Sequence, residues 1–278
     1  MHYQHLFHAG NFADVFKHAL LCALLRAMND KPAAWTYYES HAGAGGYDLG
    51  SAAAQRTGEA QQGVARVLAA ATPPPALAPY LELLQQCTDA RGLAWYPGSP
   101  WLAARTARAQ DQLVLCEREP AIAAQLRQRL GEDPRIAIHR RDGYELHSLL
   151  PPASGRGLVL IDPPFERPDE FDALQTALSR ALARFAGGVY AVWYPYKKRF
   201  DTERWLRRVR ESLKREAANY ILETGAPSEG QMHACGMLIV NPPYRFQQEI
   251  APALPWLARY LAHGPQAQAR AELWPVKK

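Results

Sequence analysis

The chain has 278 residues, 48% of them hydrophobic and 21% charged, a balance that fits a folded protein with a sizeable core and excludes a disordered or fibrous one. Its formal net charge of +5 is a weak pointer to a polyanionic partner. Cys22, Cys87, Cys116 and Cys235 are scattered, which excludes a disulfide framework and a zinc finger. With apolar runs too short for a membrane span, a reduced, cytoplasmic setting is expected.

The first 41 residues carry five of the nine histidines: His2, His5, His8, His18 and His41. The first three are spaced by three residues but lack a cysteine or carboxylate partner at a defined spacing, so no metal site is predicted. Asn11 reads as the N-cap of a helix running to about Met28, with Lys17 and His18 two turns in. Residues 35–38, aromatic and β-branched, form a strand that leads into a glycine-rich turn at Gly43, Gly45 and Gly46. A Walker loop would need Lys-Ser/Thr after the last glycine, and Tyr47-Asp48 stands there instead. Helical patterns at 58–70 and 77–87, a hinge at Pro73, Pro74 and Pro75, and Tyr96-Pro97 at the end make residues 48–98 a small inserted helical subdomain. Residues 1–30 are then an N-terminal arm and helix, and 31–47 with 99–278 the core of a single domain. Ser99 is expected to cap a helix whose first position is Pro100 and to turn its hydroxyl toward a ligand carboxylate.

Residues 113–117 form a strand ending in Glu117, a helix follows over 120–130, and the strand 135–139 precedes Asp142-Gly143. Leu158 to Ile161 then read as a strand buried on both faces, stopped by Asp162-Pro163-Pro164-Phe165. Three acids thus close three successive strands after a glycine turn, at the sheet edge where α/β folds bind ligands. A strand ending in an acid and a loose Gly-x-Gly is the usual opening of S-adenosylmethionine-dependent methyltransferases. In that reading Glu117 accepts ribose hydroxyls, Asp142 faces the cofactor's adenine amine and Asp162 faces the reacting centre. Asp-Pro-Pro-aromatic suits a planar exocyclic amine. Its carboxylate and a turn carbonyl each accept one N–H, and Phe165 stacks on an extruded base.

Further on, a helix over 169–185, a strand over 189–194 and a basic Tyr196-Lys197-Lys198-Arg199 corner follow, the corner at the edge that holds Asp162. A helix over 202–217 and a last strand over 237–240 complete the chain. That strand ends in a second motif of the same kind, Asn241-Pro242-Pro243-Tyr244. Chain order assigns catalysis to Asp162, since it comes one strand after Asp142.

Residues 3–18, His-Ala-Gly-Ala-Gly at 41–45, Arg-Thr-Gly-Glu at 56–59, Tyr-Pro-Gly-Ser-Pro at 96–100 and both double-proline motifs resemble the RlmJ family of bacterial 23S ribosomal RNA adenine-N6 methyltransferases. The resemblance spans nearly the full length. It implies an α/β Rossmann-like methyltransferase sheet with a small helical insert, a monomer acting on a specific adenine of free or partly assembled 23S rRNA. It also implies that His18, His41, Gly43, Ser99, Glu117, Asp142, Gly143 and Asp162 hold S-adenosylmethionine. Tyr3, His5, Lys17, Pro163 and Phe165 would serve the substrate, with Asp162 catalytic. Phe165 replaces a usual tyrosine, and Glu39 stands where an aspartate is expected. The rival readings are a DNA-adenine or protein-glutamine methyltransferase, which use related motifs, and a non-catalytic nucleic-acid-binding protein linked to DNA uptake.

Overall fold

The computed structural model describes residues 7–90, 92–226 and 232–276. Helix α1 (Phe12–Asn29) begins where Asn11 accepts hydrogen bonds from the amides of Ala13 and Asp14, both at 3.0 Å. It is buried on most of its circumference, Asp14, Lys17 and His18 included, as befits a helix running through the interior. The strands and helices that follow are β1 (Thr36–Glu39), β2 (Gly46–Asp48), α2 (Ala52–Thr57), α3 (Glu59–Gln62), α4 (Val64–Leu68), α5 (Ala78–Gln85), β3 (Thr88–Asp89), β4 (Gly92–Leu93), β5 (Trp95–Pro97) and α6 (Ser99–Thr106). Next come β6 (Gln112–Cys116), α7 (Pro120–Leu130), β7 (Ile136–His139), a 3-10 helix over Gly143–Leu149, β8 (Gly157–Ile161), α8 (Glu170–Arg184), β9 (Val189–Pro195) and α9 (Arg199–Ser212). The chain ends with β10 (Ala217–Glu223), β11 (Ala234–Val240), α10 (Phe246–Ile250), α11 (Ala253–Tyr260) and β12 (Gln268–Trp274).

Eight strands form one sheet in the order β12-β10-β11-β9-β8-β1-β6-β7. From β9 to β7 neighbours run parallel, and β11 enters antiparallel between β9 and β10. After β1 the chain moves outward through β6 and β7, then returns across β1 to lay down β8 on its other flank. The topological switch point therefore falls between β1 and β8, and the carboxyl ends of those strands frame the crevice where such sheets bind ligands. One apolar core, with Phe16, Leu20, Leu24 and Tyr37, fills one face of the sheet, and a second, with Val159, Ile161, Leu178 and Trp205, fills the other.

Between β2 and β5 the chain makes an excursion that closes on itself, with Gly46 paired to Pro97 and Asp48 to Trp95. Its side chains Val64, Val67, Leu77, Tyr80 and Leu84 join the same core as α1. The Tyr80 hydroxyl meets that of Tyr96 at 3.0 Å, and Tyr96 meets His18 Nδ1 at 2.8 Å. The excursion also grips the chain just before α1. Glu59 takes His8 Nδ1 at 2.8 Å on one oxygen and accepts from Asn11 Nδ2 at 3.0 Å on the other, while the Val64 amide donates to Gly10 O at 2.9 Å.

Several elements differ from the sequence expectation. The helical pattern at 58–70 is broken into α3 and α4 at Gly63, where a Cβ would come within 2.2 Å of Gly10 O. The helix expected over 202–217 stops at Ser212, and Ala217–Glu223 is instead a buried strand between β11 and β12. A short run buried on both sides has no period that separates strand from helix. Strand β11 starts at Ala234, and β12 follows it as a further strand. Ser99 is the first residue of α6, with Gly98 at the cap and Pro100 one place later.

Candidate active site

The rim of the switch point is built by the residues that follow β1, β6, β7 and β8. Ser40 directly follows β1: its amide donates to Leu160 O at 3.0 Å, and its hydroxyl accepts from the Asp162 amide at 3.3 Å and meets His41 Nδ1 at 2.8 Å. The chain then bends through Gly43 and Gly45, both with positive φ, which an L side chain adopts only with strain. Glu117 secures that turn from β6, its carboxylate accepting from the Gly43 amide at 3.0 Å and from the Glu119 amide at 2.8 Å. Asp142, after β7, caps the 3-10 helix by accepting from the Tyr144 amide at 2.9 Å. Gly143 lies so close to β1 that a Cβ there would sit 1.9 Å from Ser40 O, so only glycine fits.

Asp162 ends β8, and its Oδ2 accepts from Lys17 Nζ at 2.6 Å. The lysine also reaches Asp14 Oδ1 at 3.1 Å, so one buried cation serves two carboxylates whose side chains are 4% and 15% exposed. Asp14 is held in turn by the Gly10 amide at 3.0 Å. A cation in this position offsets the charge of the Asp162 carboxylate and fixes its orientation. The ring of Trp193 lies 5.9 Å from Lys17 Nζ and 5.8 Å from the ring of Phe165.

Pro163 is buried and Phe165 is 8% exposed, packed edge-on against Phe171 and Trp193. Little of the Phe165 ring is therefore left for a base to cover. Phe165 has a φ of +51°, in a region that bulky residues rarely enter, at a cost on the order of 1–3 kcal/mol. Lys197 helps hold that turn by donating from Nζ to Phe165 O at 2.8 Å. On the outer side, Glu170 accepts from the amides of Glu166 and Arg167 at 3.0 Å each and from the Tyr144 hydroxyl. Tyr144 in turn meets the His41 ring edge-on at 5.1 Å.

Glu39, the last residue of β1, is fully buried and accepts from Tyr37 Oη at 2.9 Å and Ser99 Oγ at 2.5 Å. Burial pushes its carboxyl up to about 8, with nearby Asp162 adding to the effect, while the two hydrogen bonds and Lys17 pull it down. Burial likewise lowers the imidazole of His41, outweighing the opposite pull of Asp162, Asp142 and Glu170, so the ring is neutral near pH 7.

The sequence-predicted residues thus divide by position. His41, Gly43, Glu117, Asp142, Gly143, Asp162, Pro163, Phe165 and Lys17 converge on this rim. Ser99 stands beside it with its hydroxyl given to Glu39. His18 is 1% exposed, stacked on Tyr96, one layer beneath. Tyr3 and His5 lie outside the described residues. Asn241 falls at the opposite end of the sheet, because β11 is antiparallel and Val240 pairs with Tyr190 near the start of β9. Sequence reasoning missed Ser40, Trp193, Tyr144 and Glu170. Ser40 had a signal, standing between a strand-end acid and a candidate histidine, whereas the other three had none.

A family model described as ribosomal RNA large subunit methyltransferase D, RlmJ, matches residues 32–276. Ribosomal RNA large subunit methyltransferase J of Escherichia coli K12 is 37% identical over 257 residues, 92% of each chain, and its Haemophilus influenzae counterpart is 34% identical over 93% of each. A crystal structure of a Legionella pneumophila protein superposes with a TM-score of 0.88 at 34% identity, covering 98% of this chain and 99% of that one. With the sequence match running through every strand of the sheet and the relatives aligned almost end to end, the chain belongs to the RlmJ family.

Proposed function

We propose that this chain methylates the exocyclic N6 of a specific adenine in 23S ribosomal RNA, using S-adenosylmethionine, as a cytoplasmic monomer acting on free or partly assembled large-subunit RNA. The observation that carries the reading is the placement of Asp162, at the switch point of the sheet and oriented by Lys17. The names of the relatives supply the substrate class.

The donor set fits a nucleoside cofactor. Glu117 presents a carboxylate to a ribose diol, Asp142 presents one to an adenine amine, and the Gly43–Gly45 turn keeps the backbone low between them. Gly143, pressed on Ser40, sets the floor of that cleft. His41 and Ser40 stand at the inner end, and His18 supports Tyr96 from beneath. When bound, S-adenosylmethionine supplies an electrophilic methyl group.

An adenine N6 is a weak nucleophile because its lone pair is delocalised into the ring. Asp162 Oδ2 is engaged by Lys17, which leaves Oδ1 to accept one N6–H. The Pro163 carbonyl, fixed by the double-proline turn, accepts the other. Both bonds favour a lone pair directed out of the ring plane, so much of the acceleration comes from alignment. Trp193 and the exposed edge of Phe165 flank the purine. Tyr3 and His5 complete the substrate side in this reading. Asp162 is not required to remove a proton before transfer, since the amine becomes cationic and acidic only afterward.

The test is tritium transfer from labelled S-adenosylmethionine to RNA, DNA and protein fractions, followed by mass spectrometry of 23S rRNA from a deletion strain. Label in RNA as N6-methyladenine, and loss of one such nucleotide in the strain, is the expected result. Label confined to DNA or protein would sink the proposal.

A further inference from the structure

The basic side chains of this protein are not evenly spread. Residues 197–210 hold seven lysines and arginines against Asp201 and Glu203, an excess of five that equals the formal net charge of the whole chain. Outside that stretch acids and bases balance. Two of the seven are engaged in packing: Arg208 is bonded to Asp172 and Gln175 on α8, and Arg210 lies over Trp274. Arg199 is paired with Glu203 and Arg204 with Asp201, exposed pairs along the helix that water screens. These two gather with Lys197, Lys198 and Arg207 where β9 passes into α9.

That passage carries a second unusual feature. Phe200 is 72% exposed, among the few large hydrophobic side chains so open to water, and it stands in the middle of the cationic group. The guanidinium of Arg204 lies 5.6 Å from its ring centroid. Lysines 197 and 198 precede it, and Arg207 is exposed one turn beyond Arg204. An apolar ring costs least in water when a ligand covers it, and an aromatic plate ringed by cations suits a stacked base with phosphates on either side. The location agrees, because Lys197 donates to the carbonyl of Phe165, so Phe200 is three residues from a direct contact with the Asp162 turn. Three residues span at most about 10 Å, roughly one to two nucleotides of extended strand.

We propose that the β9–α9 corner is a docking platform for unpaired RNA flanking the methylated adenine. Phe200 stacks one base of the flanking strand, and Lys198, Arg204 and Arg207 hold its phosphates. This rests on the reading of the substrate as RNA and names the part of that substrate the corner grips. The corner therefore sets which RNA is bound and leaves the chemical step to the rim.

The molecule contains its own control. Tyr244 is 84% exposed with Arg245 5.2 Å from its ring centroid, a pair of the same composition placed at the opposite end of the sheet. The test measures fluorescence anisotropy of a labelled oligouridylate of about 12 nucleotides against the full-length protein. Phe200→Ala is expected to weaken binding about tenfold, Phe200→Trp to retain it, and Tyr244→Ala to change nothing. Lys198→Ala is expected to lower the salt slope by about one counterion. Calorimetry should show unchanged S-adenosylmethionine affinity in Phe200→Ala, which excludes misfolding. The proposal is overturned if Phe200→Ala binds like wild type, if Tyr244→Ala loses as much, or if a blunt RNA duplex competes equally well. Binding is read here without methyl transfer. A protein that shows the Phe200 effect but labels no RNA would refute the functional reading alone, and one that methylates RNA with an unchanged KM in Phe200→Ala would refute only the platform.

Discussion

Two corners of this protein share one sequence pattern, and the fold puts them to opposite uses. Asp162-Pro163-Pro164-Phe165 closes the parallel strand β8, and Asn241-Pro242-Pro243-Tyr244 closes the antiparallel strand β11. Reversing the strand sends the second motif to the far end of the sheet. At the first corner the acid is paired with a buried lysine, and the aromatic ring is tucked into the core beside Trp193. At the second, Asn241 donates to Ala186 O at 3.0 Å and Gly188 O at 2.7 Å, tying down the loop before β9, and Tyr244 stands in solvent. A charged group that accepts hydrogen bonds can serve an incoming amine. An amide that donates both its hydrogens to backbone carbonyls is already committed to structure. Strand direction, more than the tetrapeptide, decides which corner keeps an acceptor for a ligand.

The contrast can be pressed experimentally. Asp162→Asn keeps the shape and removes the charge, and should lower methyl transfer by about 100- to 1,000-fold with an unchanged circular dichroism spectrum. Retention of more than about a tenth of the activity would erase the distinction between the corners. Asn241→Ala should do the reverse. It leaves two carbonyls without their donor and places alanine at a φ of +52°, so unfolding titrations should show a loss of about 2 kcal/mol while kcat holds.

A subtler difference is pH dependence, since Glu39, buried beside Asp162, accepts from two hydroxyls, whereas Asp111, buried at the other end of the sheet, is bonded to the Arg108 guanidinium. Glu39 is raised from 4.5 to about 8, so its contribution to stability is complete below about pH 4.5 and is lost as pH rises through about 8. Glu39→Gln should flatten that decline, and the Tm of the variant relative to wild type should climb between those pH values. A parallel pair of Tm curves would show that Glu39 ionises in the folded protein as it does in the unfolded chain. Smallest of all, Tyr244→Ala should leave stability, cofactor affinity and rRNA methylation within about twofold of wild type, because its ring covers nothing in the core. A larger loss of methylation would mean that the far corner also meets substrate.

Much of this arrangement was legible in the chain itself, for physical reasons that can be named. Asn11 announces α1 because a side-chain acceptor before a helix satisfies otherwise orphaned amides. Leu158 to Ile161 announce a buried strand, and the acids that close β6, β7 and β8 fall at one edge because those strands are parallel. The strand β10 was hidden, since Ala217 to Leu222 is short and buried on both faces, Asn219 included, and what makes it a strand is pairing with β11 and with the distant β12. The pairing of Lys17 with Asp162 spans 145 residues, a relation no local pattern encodes. Glu39 was visible as a departure from aspartate. Its bond to Tyr37 is local to β1, but the bond to Ser99 and the burial that elevates its carboxyl depend on how α6 docks against β1.

The excursion between β2 and β5 is stitched to the rest of the molecule by the His18–Tyr96–Tyr80 relay, by the double grip of Glu59 and by a shared apolar interior. It is therefore no detachable accessory. Trimming it to make a smaller enzyme would uncover the flank of the helix that carries Lys17, so miniaturisation would cost the protein the setting of the lysine that orients Asp162 along with the mass removed. Shortening the exposed Thr72–Pro73 bend, which sits outside those stitches, is the safer place to begin.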